Sequence, residues 1–66
     1  MQVELRNPSR VLEFDGPMSV TRLLSRLELN RESVLVISDG TLVPHDATLD
    51  DGARVEIRNV ISGGAA

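Results

Sequence analysis

The sequence VLVISDGTLV, residues 34–43, decides how the chain folds. Its first four residues are apolar on both faces of an extended backbone, which predicts a strand in the interior of a sheet. Asp39-Gly40 follows, and this pair predicts a type I′ turn because both central residues of that turn need a positive φ. Residues 41–43 should therefore pair back on the first strand. Pro44 should end the hairpin because it has no N–H to donate.

Strands with period-two alternation are predicted at both ends of the chain. The apolar residues of QVELR, residues 2–6, lie on one face of an extended chain, and so do those of RVEIR, residues 54–58. A turn at residues 7–9, NPS, returns the chain into a second strand at residues 11–14. Four side chains of the two terminal strands should face the core: Val3, Leu5, Val55 and Ile57.

One helix is predicted between the second and third strands. Ser19 is a favourable N-cap, so the helix should begin at Val20 and run through residues 20–29. Asn30 suits the left-handed position that follows a helix end. Apolar residues recur at i, i+3, i+4 and i+7, which places them in one stripe that faces the core: Val20, Leu23, Leu24 and Leu27.

These elements predict an α+β fold in which a mixed sheet of four to five strands carries one main helix on one face. Residues 45–52 are polar and turn-rich around Leu49, which we expect to plug the core beneath the sheet. A single helix covers only one sheet face, so the second apolar set of residues 34–37, with Leu42 or Val43, should form an exposed patch for a partner. The sequence leaves open which residues point there, because a one-residue change of register reverses every side chain.

The composition argues against several classes of function. A chain of 66 residues forms one domain with little room for an enclosed active site. Ten acidic residues, seven Arg and no Lys give a net charge of −3, which opposes binding to nucleic acid and to anionic membranes. Without Cys there are no disulfides and no thiolate chemistry. No apolar run reaches the roughly 18 residues of a membrane span, so we expect a cytoplasmic protein.

Motifs for catalysis or metal binding are weak. His45 is a single imidazole, and the aspartates in residues 46–51 do not match an EF-hand loop, so we expect no metal site. Ser19 and Ser62 have no neighbouring base, and no Gly-rich loop opens a helix to hold phosphate. We therefore interpret the chain as a substrate of other enzymes and not as an enzyme.

The ending SGGAA, residues 62–66, is the second informative stretch. Gly63 lacks a Cβ, so the diglycine can thread a slot too narrow for other residues and present the Gly64 carbonyl to a partner. Val60 and Ile61 would supply apolar anchoring just before that slot. No side chain larger than a methyl follows to offset the backbone entropy of ordering, which predicts a flexible tail after a domain that ends at Ile61. A frayed end without function is the alternative.

Five short motifs stand in order along the chain, and together they resemble the ThiS/MoaD family of sulfur carrier proteins, most closely its thiamine-biosynthesis members, the ThiS proteins. The resemblance covers nearly the whole chain and implies the ubiquitin-like β-grasp fold. The motifs are MQV at residues 1–3, VTRLL at 20–24, LVP at 42–44, DGARV at 51–55 and VISGG at 60–64.

The resemblance implies that the Gly64 carboxylate is the site of sulfur attachment. A ubiquitin-activating-enzyme-like adenylyltransferase of the ThiF/MoeB type would adenylate it with ATP. Conversion to a thiocarboxylate would follow, and the sulfur would pass to a synthase such as thiazole synthase. The carrier itself would hold no permanent cofactor, and Val60, Ile61, Ser62 and Gly63 would be recognised by the partner.

Ala65-Ala66 departs from the family, whose members usually end at the second Gly. While the amide from Gly64 to Ala65 persists, no Gly64 carboxylate exists to be activated. Either a JAMM-type metalloprotease removes the two residues, as in carriers with short extensions, or they were added artificially. The sequence does not decide between these.

Three hypotheses on function remain open at this point. The first is a sulfur carrier, for thiamine thiazole or for molybdopterin, tRNA thiolation, cysteine or a thio-siderophore. The second is a ubiquitin-like modifier joined through Gly64 to lysines of other proteins; the absence of Lys means that it cannot build lysine-linked chains of itself. The third is a non-covalent β-grasp docking module whose tail plays no part.

Overall fold

The computed structural model describes residues 1–5 and 9–60, which form a mixed sheet with one α-helix against one face. A short 3₁₀ turn, Arg31–Ser33, precedes the fourth strand. In chain order the elements are β1 (Gln2–Leu5), β2 (Arg10–Glu13), β3 (Met18–Ser19), α1 (Val20–Arg26), β4 (Val34–Ser38), β5 (Thr41–Val43), β6 (Thr48–Leu49) and β7 (Arg54–Asn59).

The main sheet has the strand order β2-β1-β7-β4-β5. The strands from the two ends of the chain, β1 and β7, lie side by side and run parallel, with Val3 beside Val55 and Leu5 beside Ile57. The other neighbours in the sheet are antiparallel. The predicted α+β class with a mixed sheet is confirmed, and the arrangement is that of a ubiquitin-like β-grasp fold.

The core lies between the sheet and α1. Ser19 caps the helix as predicted, because its Oγ accepts a hydrogen bond from the Arg22 N–H at 3.1 Å, and α1 begins at Val20. The predicted apolar stripe of the helix is buried, with Leu27 only partly covered. Seven side chains are the largest that are almost fully buried: Val3, Val20, Leu23, Leu24, Val36, Leu49 and Val55.

The predicted end of the helix is wrong. Helix α1 stops at Arg26, and Glu28 rather than Asn30 takes the left-handed conformation, with φ of 57°. The Leu29 N–H then donates to the Leu24 carbonyl at 2.9 Å, and the Glu28 N–H donates to the Ser25 carbonyl at 3.1 Å, which is the hydrogen-bond pattern of a Schellman motif. The early turn lets Leu29 pack against the core. Packing of this side chain therefore overrides the preference of Asn for the left-handed position.

The central hairpin agrees with its prediction. Asp39 and Gly40 have φ of 50° and 82°, and Ser38 pairs with Thr41 across the turn. The Asp39 N–H donates to the Arg54 carbonyl at 2.8 Å, and the Asp39 Oδ1 accepts from the Arg54 N–H at 3.2 Å. These two bonds tie the turn to the first residue of β7.

Leu49 is 1% exposed, so its prediction as a core plug is confirmed. It belongs to a second sheet of two strands that the sequence did not predict, in which Met18 pairs with Leu49 and Ser19 with Thr48. Strand β2 begins and ends one residue earlier than predicted, and β7 continues one residue further, to Asn59. Residues 6–8, which include most of the predicted NPS turn, lie outside the described residues. The one α-helix in residues 1–5 and 9–60 has seven residues, too few to cross a bilayer.

Candidate functional site

The sheet has an open face, which α1 does not cover, and three apolar residues of this face lie together on β4 and β5. Residues paired across neighbouring strands point to the same side of a sheet. Ile37 pairs with Leu42, so these two side chains share the open face with Leu35, while Val43 pairs with the buried Val36 on the covered face. Leu35 is 43% exposed and Leu42 is 59% exposed. We call Leu35, Ile37 and Leu42 the apolar patch; the expected exposed patch is therefore present, with Leu42 rather than Val43.

Charged side chains on β7 border the apolar patch. Arg58 pairs with Leu35 across the ladder, and Glu56 pairs with Ile37. The Arg58 Nε donates to the Glu56 Oε2 at 2.8 Å. An ion pair this exposed adds little to stability. The β4–β7 register places Arg58 beside Leu35, so the open face carries both apolar and charged side chains.

The alternation of RVEIR predicted that the side chains of Val55 and Ile57 face the core, and the structure confirms that both are buried. The same alternation places Arg54, Glu56 and Arg58 together on the opposite face. Sequence reasoning did not single out this charged row, although its signal was present in the period of two. The sequence does not show which strand lies beside β7. Only the register between β4 and β7 shows that the charged row borders the apolar patch.

Val60, the last residue that the structure describes, follows the end of β7. The Val60 N–H donates to the Ser33 carbonyl at 2.8 Å, one residue beyond the end of β7, and Val60 is 44% exposed. Leu35 lies opposite Arg58, two residues before Val60, so this member of the apolar patch is the one nearest to Val60. The other predicted site residues, Ile61, Ser62, Gly63, Gly64 and Ala65, lie outside the described residues.

Several polar residues that the sequence drew attention to have structural partners. The Asp51 Oδ1 accepts a hydrogen bond from the Gly16 N–H at 2.8 Å, which joins two loops. The His45 carbonyl accepts from the Thr21 Oγ1 at 2.9 Å and ties the loop after β5 to α1. Among residues 1–5 and 9–60, no three His, Cys, Asp or Glu side chains gather as metal ligands would.

Comparison with known protein families gives one match. The family model described as the ThiS family matches residues 2–64. The matched region begins with β1 and reaches Gly64, so it contains the diglycine and leaves out Ala65 and Ala66. A search of curated proteins finds none that matches the sequence.

Proposed function

Because the chain belongs to the ThiS family, whose members are small sulfur carrier proteins rather than enzymes, we propose that it carries sulfur on the Gly64 carboxylate. The observation that supports this most is that the family match extends through the diglycine to Gly64. The proposed destination of the sulfur is the thiazole of thiamine. Molybdopterin, tRNA thiolation, cysteine and a thio-siderophore are destinations that the same chemistry would serve.

The chemistry of a carboxylate explains why such a carrier needs a partner enzyme. A terminal carboxyl group has a pKa of about 3.5, so at neutral pH it is an anion and a poor electrophile. Attack of the Gly64 carboxylate on ATP forms an acyl-adenylate and releases pyrophosphate. Sulfide then attacks the acyl carbon and displaces AMP, so that sulfur takes the place of one carboxylate oxygen. Ala65-Ala66 must be absent or hydrolysed away first, because the amide to Ala65 occupies the carbonyl of Gly64.

We assign the open face as the docking surface for the adenylyltransferase. Leu35, one member of the apolar patch, lies opposite Arg58, two residues before Val60, so a partner that covers the patch would lie close to Val60. Burial of exposed apolar side chains such as Leu35 and Leu42 would favour the complex because it removes apolar surface from water. Arg58 would supply a charge-assisted contact at the border.

The proposed function is tested by pyrophosphate release with a ThiF/MoeB-type adenylyltransferase and ATP. A chain ending at Gly64 should release about one equivalent of pyrophosphate. The chain ending at Ala66 should release none unless a protease is added. Equal absence of release from both chains would contradict the proposed activation, and equal release would contradict the role of Gly64 as the activated terminus.

Leu42→Asp should lower kcat/KM for adenylation about tenfold or more, chiefly through KM, because it places a charge in the proposed interface. Its free energy of unfolding should change by no more than about 0.5 kcal/mol, since Leu42 is 59% exposed. Initial rates of pyrophosphate release and urea denaturation measure the two quantities.

Val11→Asp is the matched control for this substitution. Val11 is 57% exposed and lies on the same face, but on edge strand β2, three strands away from β4. The Val11→Asp substitution should leave KM for adenylation unchanged. Equal effects of the two substitutions would show that the partner does not dock at the apolar patch.

A further inference from the structure

Strand β2 forms one edge of the main sheet and points part of its backbone away from the sheet. No described strand lies beyond it in the order β2-β1-β7-β4-β5. The Phe14 N–H donates to the Met1 carbonyl at 3.0 Å, and the Met1 nitrogen donates to the Phe14 carbonyl at 2.7 Å. Because hydrogen-bonded and non-hydrogen-bonded pairs alternate along an antiparallel ladder, Leu12 also bonds to β1, whereas the N–H and C=O groups of Val11 and Glu13 point outward.

The opposite edge of the sheet, β5, is less suited to accept another strand. It has three residues, and Pro44, which follows it, has no N–H to donate. Strand β2 has four residues, and the side chain of Val11 is 57% exposed. An added strand would therefore find more backbone partners at β2, where Val11 and Glu13 each offer one N–H and one C=O.

The side chains along β2 determine which kind of strand fits. Val11 pairs with Glu4 on the open face, and Glu13, two residues further, points to the same side. Neither carboxylate has an ion pair with another residue in the described ranges 1–5 and 9–60. On the covered face, Leu12 is partly buried. The edge therefore favours a strand with a basic side chain beside Glu13 and apolar side chains beside Leu12 and Val11.

We propose that the outer edge of β2 binds an extended basic segment of another protein, which adds to the sheet as an antiparallel sixth strand. Because the segment runs opposite to β2, its three central residues are basic, apolar and apolar in that order. A second copy of this chain fits poorly, since pairing β2 with β2 would place Glu4 and Glu13 of both copies on one face, and each chain has a net charge of −3. The edge is three strands away from β4, so the bound segment leaves the apolar patch accessible.

Hydrogen exchange in the isolated protein tests the geometry of the edge. The Val11 and Glu13 amides should exchange about tenfold or more faster than the Leu12 amide, which is bonded to β1. Sedimentation of the same sample should give a monomer. Equal protection of the three amides, or a dimer in which Val11 and Glu13 are protected, would show that the edge is already covered and would overturn the proposal.

A short capped peptide with the central sequence arginine-valine-valine tests the docking. In the antiparallel arrangement the first valine lies beside Leu12 and the second beside Val11, so of the two valines only the second points its N–H at β2. N-methylation of the second valine should weaken binding about tenfold, because it removes a backbone hydrogen bond. N-methylation of the first valine should leave the affinity nearly unchanged. An NMR titration that follows the Val11 and Glu13 amides measures the affinities.

Replacement of the arginine in the peptide by glutamate tests the charge complementarity with Glu13 and should weaken binding about fivefold. Val11→Pro tests the same backbone bond from the side of the protein. The N–H that it removes points outward, so the β1–β2 ladder is kept, and binding should fall about tenfold. Val11→Thr keeps the N–H and the branched side chain and should bind the peptide normally. If Val11→Pro does not fold, the N-methylated peptides with the unsubstituted chain still decide.

The proposal is overturned if the two N-methylated peptides bind alike, or if the glutamate peptide binds as tightly as the arginine peptide. It is also overturned if the arginine peptide shifts the amides of the apolar patch instead of those of β2, or if it does not bind at about 1 mM. None of these results depends on activation of Gly64, so the proposed function is tested separately.

Discussion

Gly63→Val, in a chain that ends at Gly64, should lower the rate of adenylation about a hundredfold or more while leaving the thermal unfolding midpoint unchanged. We propose that the diglycine enters a slot too narrow for a Cβ, and valine would add an isopropyl group there and stiffen the backbone. A displacement of about 1 Å in the reacting carboxylate is enough for a loss of this size. Among residues 1–5 and 9–60 the last member of the buried core is Ile57, six positions before Gly63, so we expect stability to be unaffected. Pyrophosphate release and a thermal melt measure the two effects.

Gly63→Ala provides a graded control, since it adds one methyl group and should give an intermediate rate. Ser62→Ala should stay close to the unsubstituted rate if the slot begins at Gly63. Adenylation of Gly63→Val at the normal rate would contradict the narrow slot and remove the reason for a diglycine at this position.

Leu49→Ala should lower the free energy of unfolding by about 2–5 kcal/mol, which is the range for removing a large buried aliphatic side chain. Leu49 is 1% exposed and lies beside Met18, itself 7% exposed. A domain of this size has a total stability of only about 3–5 kcal/mol, so much of the variant should be unfolded at 37 °C. Urea denaturation followed by circular dichroism measures the change.

Leu42→Ala is the matched control because it removes the same atoms from a side chain that is 59% exposed. Its free energy of unfolding should change by about 0.5 kcal/mol or less. A loss below about 1 kcal/mol for Leu49→Ala would mean that residues 44–53 do not close the core as the structure shows.

Local patterns predicted the parts of the fold that depend on neighbours in sequence. The Asp39-Gly40 pair predicted its turn because few residue pairs accept two positive φ angles. Alternation placed Val55 and Ile57 inside because a strand with one buried face has a period of two. Ser19 predicted the start of the helix through its capping oxygen.

The parts that depend on distant contacts were missed or misplaced. The pairing of Met18 with Leu49 joins two strands of only two residues each, too short to show any period. The helix ends at Arg26 because Leu29 has to reach the core, and this requirement places Glu28 in the left-handed conformation. Neither contact can be seen in a window of sequence around these residues.

The candidate site also has features that a local sequence pattern indicates and features that depend on distant contacts. The tail residues are a prediction from the sequence, made because a diglycine has few structural uses at the end of an otherwise compact domain, and those after Val60 lie outside the described residues. The choice between Leu42 and Val43 on the open face required the register with β4. The hydrogen bond from Val60 to Ser33 joins residues 27 positions apart in the sequence, so no local pattern indicated it.

A ubiquitin-like modifier would use the same activated terminus but would transfer it to an amine. That outcome is recognised in a host lysate by covalent adducts of high mass that disappear when Gly64 is deleted. A carrier that only donates sulfur gives a single free band in the same experiment. A non-covalent docking module, in turn, would keep partner binding and pathway output after removal of residues 63–66.

The most direct test of the central claim is the intact mass of the protein purified from its native host. Transfer of sulfur to Gly64 predicts a population that ends at Gly64 and is about 16 Da heavier than the plain carboxylate, because one oxygen is replaced by sulfur. Deletion of the adenylyltransferase should remove that population and leave the carboxylate. If every molecule instead retains the Ala66 carboxylate and none carries the added mass, the protein is not a sulfur carrier activated at Gly64.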